Sequence, residues 1–278
     1  MFSANTNQQL ECFLATLVHA PAVLVQVASS EGSVPREAGA WMAVFADTVA
    51  GTVGGGHLEW EAIARARAQL ATPPAASDAP VHRFALGPAL GQCCGGVVHL
   101  RFGRVEAADA PALEARLGKS RRDASRPVAL FGGGHVGYAL VQVLSPLPFT
   151  LAWIDSRDGV FPAQLPTHVQ CEHSDPVQAA VAGLAPGSCV VIMSFSHAED
   201  LDVLAACLQR QRAQADLPYI GLIGSKTKWA TFRHRLEARG FTATELAQVT
   251  SPIGVPGVRG KEPEVIAVAV AAQLLQVP

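Results

Sequence analysis

Aromatic residues are scarce in this 278-residue chain, at 6%, and charged residues make up only 16%. So little charge beside 49% hydrophobic residues excludes a disordered chain and supplies ample apolar material for packed cores. Basic excess is also missing. The formal net charge is −2 and the pI about 6.5, which leaves no broad electrostatic footprint for nucleic acid. The densest basic run, Lys119-Ser120-Arg121-Arg122, is cut off by Asp123 and reads as a solvated segment. No apolar run reaches the roughly 18 residues of a membrane span. Residues 265–277 come nearest, and Gln273 and Gln276 interrupt them. Met1 to Leu10 contain no lysine or arginine, so the basic start of a secretory signal is missing. These absences predict a cytoplasmic protein with neither nucleic acid nor membrane as partner.

What is present divides into two halves, and the length agrees with about two domains. The first half predicts a β-rich α+β domain. Strands are expected over 22–28, 41–45, 48–53, 81–86 and 97–102, with a helix over 57–70 after Gly54-Gly55-Gly56. Residues 106–126 are rich in alanine and charge, contain Pro111, and read as a linker able to hold one short helix. The boundary is set at 120, giving domains 1–120 and 121–278. The second half alternates strand and helix. Strands over 128–131, 149–154, 168–171, 189–194 and 219–223 are interleaved with helices over 135–144, 198–211 and 227–239, and a last helix runs over 263–275. That order predicts an α/β fold with a doubly wound parallel sheet covered on both faces.

The strongest chemical signal is Gly132-Gly133-Gly134-His135-Val136-Gly137, a G-x-G-x-x-G pattern between a strand and a helix. Gly132 suits the tight turn, Gly134 a close approach to phosphate, and Gly137 helix–strand contact. The helix that His135 opens presents unpaired N–H groups to an anion. Asp155 closes the next strand, 18 residues beyond Gly137, where it can accept a ribose or other hydroxyl. Ser225 and Lys226 follow another strand at the same rim, as a helix cap and a phosphate contact. His197, at a third such loop, reads as structural or capping.

Two further clusters lie in the first half. Gln92-Cys93-Cys94-Gly95-Gly96 places adjacent thiols among glycines, suited to a soft metal or to accepting sulfur. It lacks the C-x-x-C spacing of zinc. Arg36, in the loop from Ser30 to Ala40, can fork onto a phosphate or carboxylate. The remaining cysteines are expected to be reduced, with Cys189 and Cys207 buried as ordinary apolar residues.

Taken in order, these blocks resemble the xanthine dehydrogenase accessory protein (XdhC) family. Ser33, Pro35, Arg36, Gly39, Ala40 and Met42 match an S-x-P-R-x-x-G-A-x-M block. G-T-V-G-G-G with Glu59 and Q-C-C-G-G follow. G-G-G-H-V-G, S-H-x-x-D-L-D (Ser196 to Asp202) and Y-I-G-L-I-G-S-K-x-K (Tyr219 to Lys228) occupy the second half. One stretch departs: residues 255–262 read VPGVRGKE where the family has a run closer to L-x-I-G-A-x-T. The resemblance implies a small N-terminal domain, a Rossmann-like C-terminal domain and a homodimer. It also implies a non-catalytic chaperone that binds molybdenum cofactor, supports its sulfuration with a cysteine desulfurase, and inserts it into a xanthine dehydrogenase-type apoenzyme. The expected arrangement puts cofactor phosphate toward Gly134 and the metal toward Cys93 and Cys94. The alternatives are an NAD(P)-dependent oxidoreductase, which the fingerprint and Asp155 favour, and a purely structural adaptor between sulfurase and target. His57 and Glu59 are the oxidoreductase's best acid–base candidates in the first half.

Overall fold

The computed structural model describes residues 6–72, 79–86, 95–123, 125–166 and 168–278. The chain divides into two compact units, 1–123 and 124–278.

The first unit is built on an antiparallel sheet of five strands in the order β3-β2-β1-β5-β4. These are β1 (Ala22–Glu31), β2 (Trp41–Val44), β3 (Val49–Gly51), β4 (Val81–Ala85) and β5 (Val97–Val105). Alternation along β1 sends Val23, Val25 and Val27 to one face and Ala22 and Leu24 to the other. Helix α2 (Gly56–Ala71) covers the first face with Leu58, Ala62 and Ala66, spaced by four. The second face is closed by α1 (Thr6–Leu17) and α3 (Ala110–Asp123), through Phe13 and Leu17 and through Leu113 and Leu117.

One of these elements, α3, corrects the sequence reading, and another, α1, lies where the sequence reading assigned no element. The supposed linker is the 14-residue helix α3, preceded by a reciprocal capping box between Glu106 and Asp109. Its apolar stripe is only two leucines wide. Pro111 sits in its first turn, where a missing N–H costs nothing. Helix α1 packs Leu10, Phe13, Leu14 and Leu17 on this second face.

The second unit contains a six-stranded parallel sheet in the order β11-β10-β9-β6-β7-β8. In chain order its elements are β6 (Arg126–Phe131), α4 (His135–Leu144), β7 (Phe149–Asp155), β8 (Val169–His173), β9 (Cys189–Ile192), α5 (His197–Gln214), β10 (Tyr219–Leu222), α6 (Lys226–Ala238), α7 (Ala243–Leu246), β11 (Val249–Thr250) and α8 (Pro263–Leu274). Every central strand is an apolar run buried on both faces, as a covered parallel sheet requires. Val128 and Leu130 face α4 and α8, while Ala129 and Phe131 face α5 and α6. The strand order reverses between β6 and β9. That switch point is where doubly wound sheets open a crevice beyond their strand ends.

A buried cation ties the α5 side together. Arg210 is 8% exposed. It donates to the carbonyls of Val181 (2.8 Å) and Leu184 (2.9 Å) and pairs with Asp216 at 2.6 Å. Replacing it strands two carbonyls and a carboxylate, so Arg210→Ala is expected to cost about 3 kcal/mol. The Arg210 hydrogen bond holds the Asp216 pKa below its ordinary 3.8. This contribution is therefore complete above pH 3.8 and is lost as pH falls through the lower folded value. Urea midpoints for Arg210→Ala should fall at pH 7, and the difference from the parent chain should shrink in acid.

Candidate functional site

The glycine loop after β6 is fixed by contacts that only glycine allows. A Cβ on Gly132, at φ +129°, would stand 2.1 Å from the Met193 carbonyl oxygen. A Cβ on Gly137 would stand 2.1 Å from the Gly132 carbonyl oxygen. That oxygen also accepts from the Trp153 indole at 2.9 Å. Gly134 is different. It caps α4 with no side-chain hydrogen bond, and a Cβ there would meet nothing within 4 Å. Gly134 and His135 are exposed, whereas Gly132 and Gly137 are buried. The start of α4 therefore keeps its N–H groups free of any side-chain cap, beside open space.

Asp155 holds this loop. It is 1% exposed, and Oδ2 accepts from the Gly133 N–H at 2.6 Å. Arg157 binds both carboxylate oxygens, through Nε and Nη2 at 2.9 Å each, and its backbone N–H adds a further bond at 2.9 Å. Burial alone would raise the Asp155 pKa. The Arg157 side-chain hydrogen bond and the two backbone N–H donors outweigh it and hold the carboxyl below its usual range. The hydroxyl acceptor expected from sequence is thus committed to Gly133 and Arg157.

Two neighbouring loops complete the rim. Ser196 caps α5 by accepting from Glu199 N–H, and Ser225 caps α6 by accepting from Lys228 N–H. Ser225 and Lys226 are exposed at this helix start. Lys228, which sequence reasoning passed over for Lys226, pairs with the buried Asp200 at 2.6 Å and donates to the Ile223 carbonyl at 2.8 Å. Asp200 also accepts from the Ser194 N–H at 2.7 Å. The S-H-x-x-D-L-D and G-S-K-x-K motifs are joined through this pair. His197 packs edge-on against Phe232 at 6.2 Å. Arg157, also passed over, lies with its guanidinium carbon 4.6 Å from the Phe195 ring centroid.

In the first unit a second glycine loop is held the same way. Glu59 Oε2 accepts from the Val53 N–H (3.0 Å), the Gly55 N–H (3.1 Å) and the Thr52 hydroxyl. A Cβ on Gly54 would stand 2.5 Å from Pro35 Cγ, and one on Gly96 2.4 Å from the Ser33 carbonyl oxygen. The Ser33–Arg36 loop, the glycine run and the end of the cysteine block thus meet at one place. Arg36 is exposed and makes no ion pair among the described residues. Gln92, Cys93 and Cys94 lie outside the described residues. His57 stacks near Trp60 at 5.6 Å. Glu59, one of the two acid–base candidates considered for an oxidoreductase, has its Oε2 engaged by the loop.

Cys189 and Cys207 are buried, and burial pushes their thiols up, Cys207 to about 12. They are inert packing residues. Among the described residues no cluster of three histidine, cysteine or acidic residues is arranged to hold a metal. No helix among them is long and apolar enough to cross a membrane.

Comparison with known proteins adds family to geometry. The model of the XdhC Rossmann domain matches residues 128–274, more than half of the chain, and that of the XdhC and CoxI family matches residues 15–84. An uncharacterized protein of Escherichia coli (strain K12), YqeB, is 27% identical over 260 residues, covering 92% of this chain and 43% of its own length. The chain thus spans less than half of that relative. A solved structure described as a xanthine dehydrogenase from Bacillus halodurans superposes with a TM-score of 0.76 at 19% identity, covering 99% of this chain and 96% of that one. At that identity the likeness concerns the fold.

Gly132 and Gly134 separate structure from ligand contact. Gly132→Ala should lose about 3 kcal/mol, since carbonyl overlap and a strained φ combine. Gly134→Ala should stay within about 0.5 kcal/mol of the parent chain. Thermal unfolding of the pair checks this, and equal losses would show that Gly134 too is held by packing.

Proposed function

The chain belongs to the XdhC family, and from that premise we propose that it serves maturation of a xanthine dehydrogenase-type molybdoenzyme as a non-catalytic carrier of molybdenum cofactor. The observation that carries this reading is the uncapped start of α4 at Gly134, where a Cβ would enter open space. Such a helix start suits the terminal phosphate of the cargo. Lys226 and Ser225, exposed at the start of α6, offer a cation and a hydroxyl to the same chemistry.

Cys93 and Cys94 are the thiols suited to the other end of the cargo. A thiolate can contact molybdenum or receive sulfur from a cysteine desulfurase before the cofactor passes to the apoenzyme. Arg36 offers a fork for a second anionic group. The carrier acts as a homodimer in this reading.

The glycine fingerprint also fits NAD(P), the second reading. Asp155 weighs against it. A ribose-binding carboxylate needs a free oxygen, and here four hydrogen bonds from Gly133 and Arg157 occupy both.

Reconstitution tests the carrier role. Apo-xanthine dehydrogenase is incubated anaerobically with cofactor-loaded chain and a cysteine desulfurase, and its regained activity is measured. The parent chain should restore activity. Gly134→Leu, which fills the open space, should restore about tenfold less at unchanged stability. Joint replacement of Cys93 and Cys94 by serine should abolish the sulfuration-dependent part. Full restoration by the doubly substituted chain would remove these two thiols from the account.

A further inference from the structure

The rim beyond β7 and β9 holds an arrangement that neither the glycine loop nor the caps require. Phe195 follows β9 and is 66% exposed. A large apolar ring left in water is unexplained by packing, because it belongs to neither core of the unit. One of its faces is covered by the Arg157 guanidinium. Arg157 cannot swing away cheaply. It is clamped by both oxygens of buried Asp155, and that hydrogen bond is the main cause of its raised pKa. Beside it, Glu199 accepts from the Ser156 hydroxyl at 2.7 Å through Oε1. Glu199 Oε2 and Ser194 Oγ are buried with no hydrogen-bond partner among the described residues. Buried polar atoms of this kind call for a partner.

Insertion of a flat ring between Arg157 and Phe195 would need about 7 Å, two stacking distances, where the structure has 4.6 Å. The slot is closed to an inserted base, while most of the Phe195 ring still meets solvent. Asp155, two residues before Arg157, has no oxygen to spare for a ribose diol.

We infer that Arg157 and Phe195 form a preformed stacking platform for a planar heterocycle carrying N–H donors and a phosphate, and that the same site rejects adenosine diols. This rests on the carrier reading and assigns the pterin end of that cargo to Arg157 and Phe195. Phe195 supplies the ring face, and Arg157 backs it with a charge that stiffens the stack. Glu199 Oε2 and Ser194 Oγ are buried in the present geometry, so they meet the heterocycle's polar edge only after a side-chain turn toward the platform. Asp155 is a positioning residue, acting through Arg157 and Gly133.

The test uses the full chain and metal-free molybdopterin under anaerobic conditions, with bound pterin measured after removal of free ligand, and NADH fluorescence titrated in parallel. Phe195→Ala should reduce pterin affinity by roughly tenfold, the scale of one lost stacking contact. Phe195→Tyr should restore it, and NADH should bind neither variant nor parent. Thermal unfolding should be unchanged in Phe195→Ala, since the ring is exposed. If the parent retains pterin and Phe195→Ala retains it equally, the platform is overturned while the carrier role stands. If the parent retains no pterin, the carrier role falls and the platform with it. If NADH binds the parent, the rejection of adenosine diols is overturned whatever the pterin result.

Discussion

The bond from the Gly133 N–H to the buried Asp155 carboxylate sets the geometry of the second unit's rim. It ties the glycine loop after β6 to the end of the neighbouring strand β7. With the loop held from below, the start of α4 stays open above it. The same carboxylate orients Arg157 toward Phe195. An acid that in many doubly wound sheets faces a ligand sugar here faces inward. In the proposed reading the rim keeps its capacity for an anion and gives up its capacity for a diol.

Carboxylates that brace loop N–H groups recur in the chain. Glu59 holds the glycine run that leads into α2, and Asp200 holds Ser194 while pairing with Lys228. Each is an acidic residue within or next to a motif, and each binds backbone in the structure. That pattern accords with the proposed carrier, which holds a cargo in a fixed geometry.

Much of the architecture was legible from periodicity and punctuation. The helix over 135–144 has the expected limits, and the alternation of apolar runs with helices specified a parallel sheet covered on both faces. Helices α1 and α3 were not legible, because each buries only a narrow stripe and carries polar or charged residues elsewhere. At the site, the glycines were readable because their spacing carries the turn. The partners of Asp155 and Asp200 were not. Arg157 lies only two residues from Asp155, so D-x-R after the strand was an available signal. Lys228 lies 28 residues from Asp200, and only the adjacency of β9 and β10 brings them together.

Selectivity between two phosphate-bearing ligands is the property on which the account turns. Anaerobic equilibrium dialysis of the full chain against equimolar molybdenum cofactor and NADH measures it directly, with molybdenum, pterin and nicotinamide quantified per chain. Retention of molybdenum and pterin together, near one per chain and without nicotinamide, is the expected result. Retention of nicotinamide in place of pterin would contradict it and return the fold to an oxidoreductase reading.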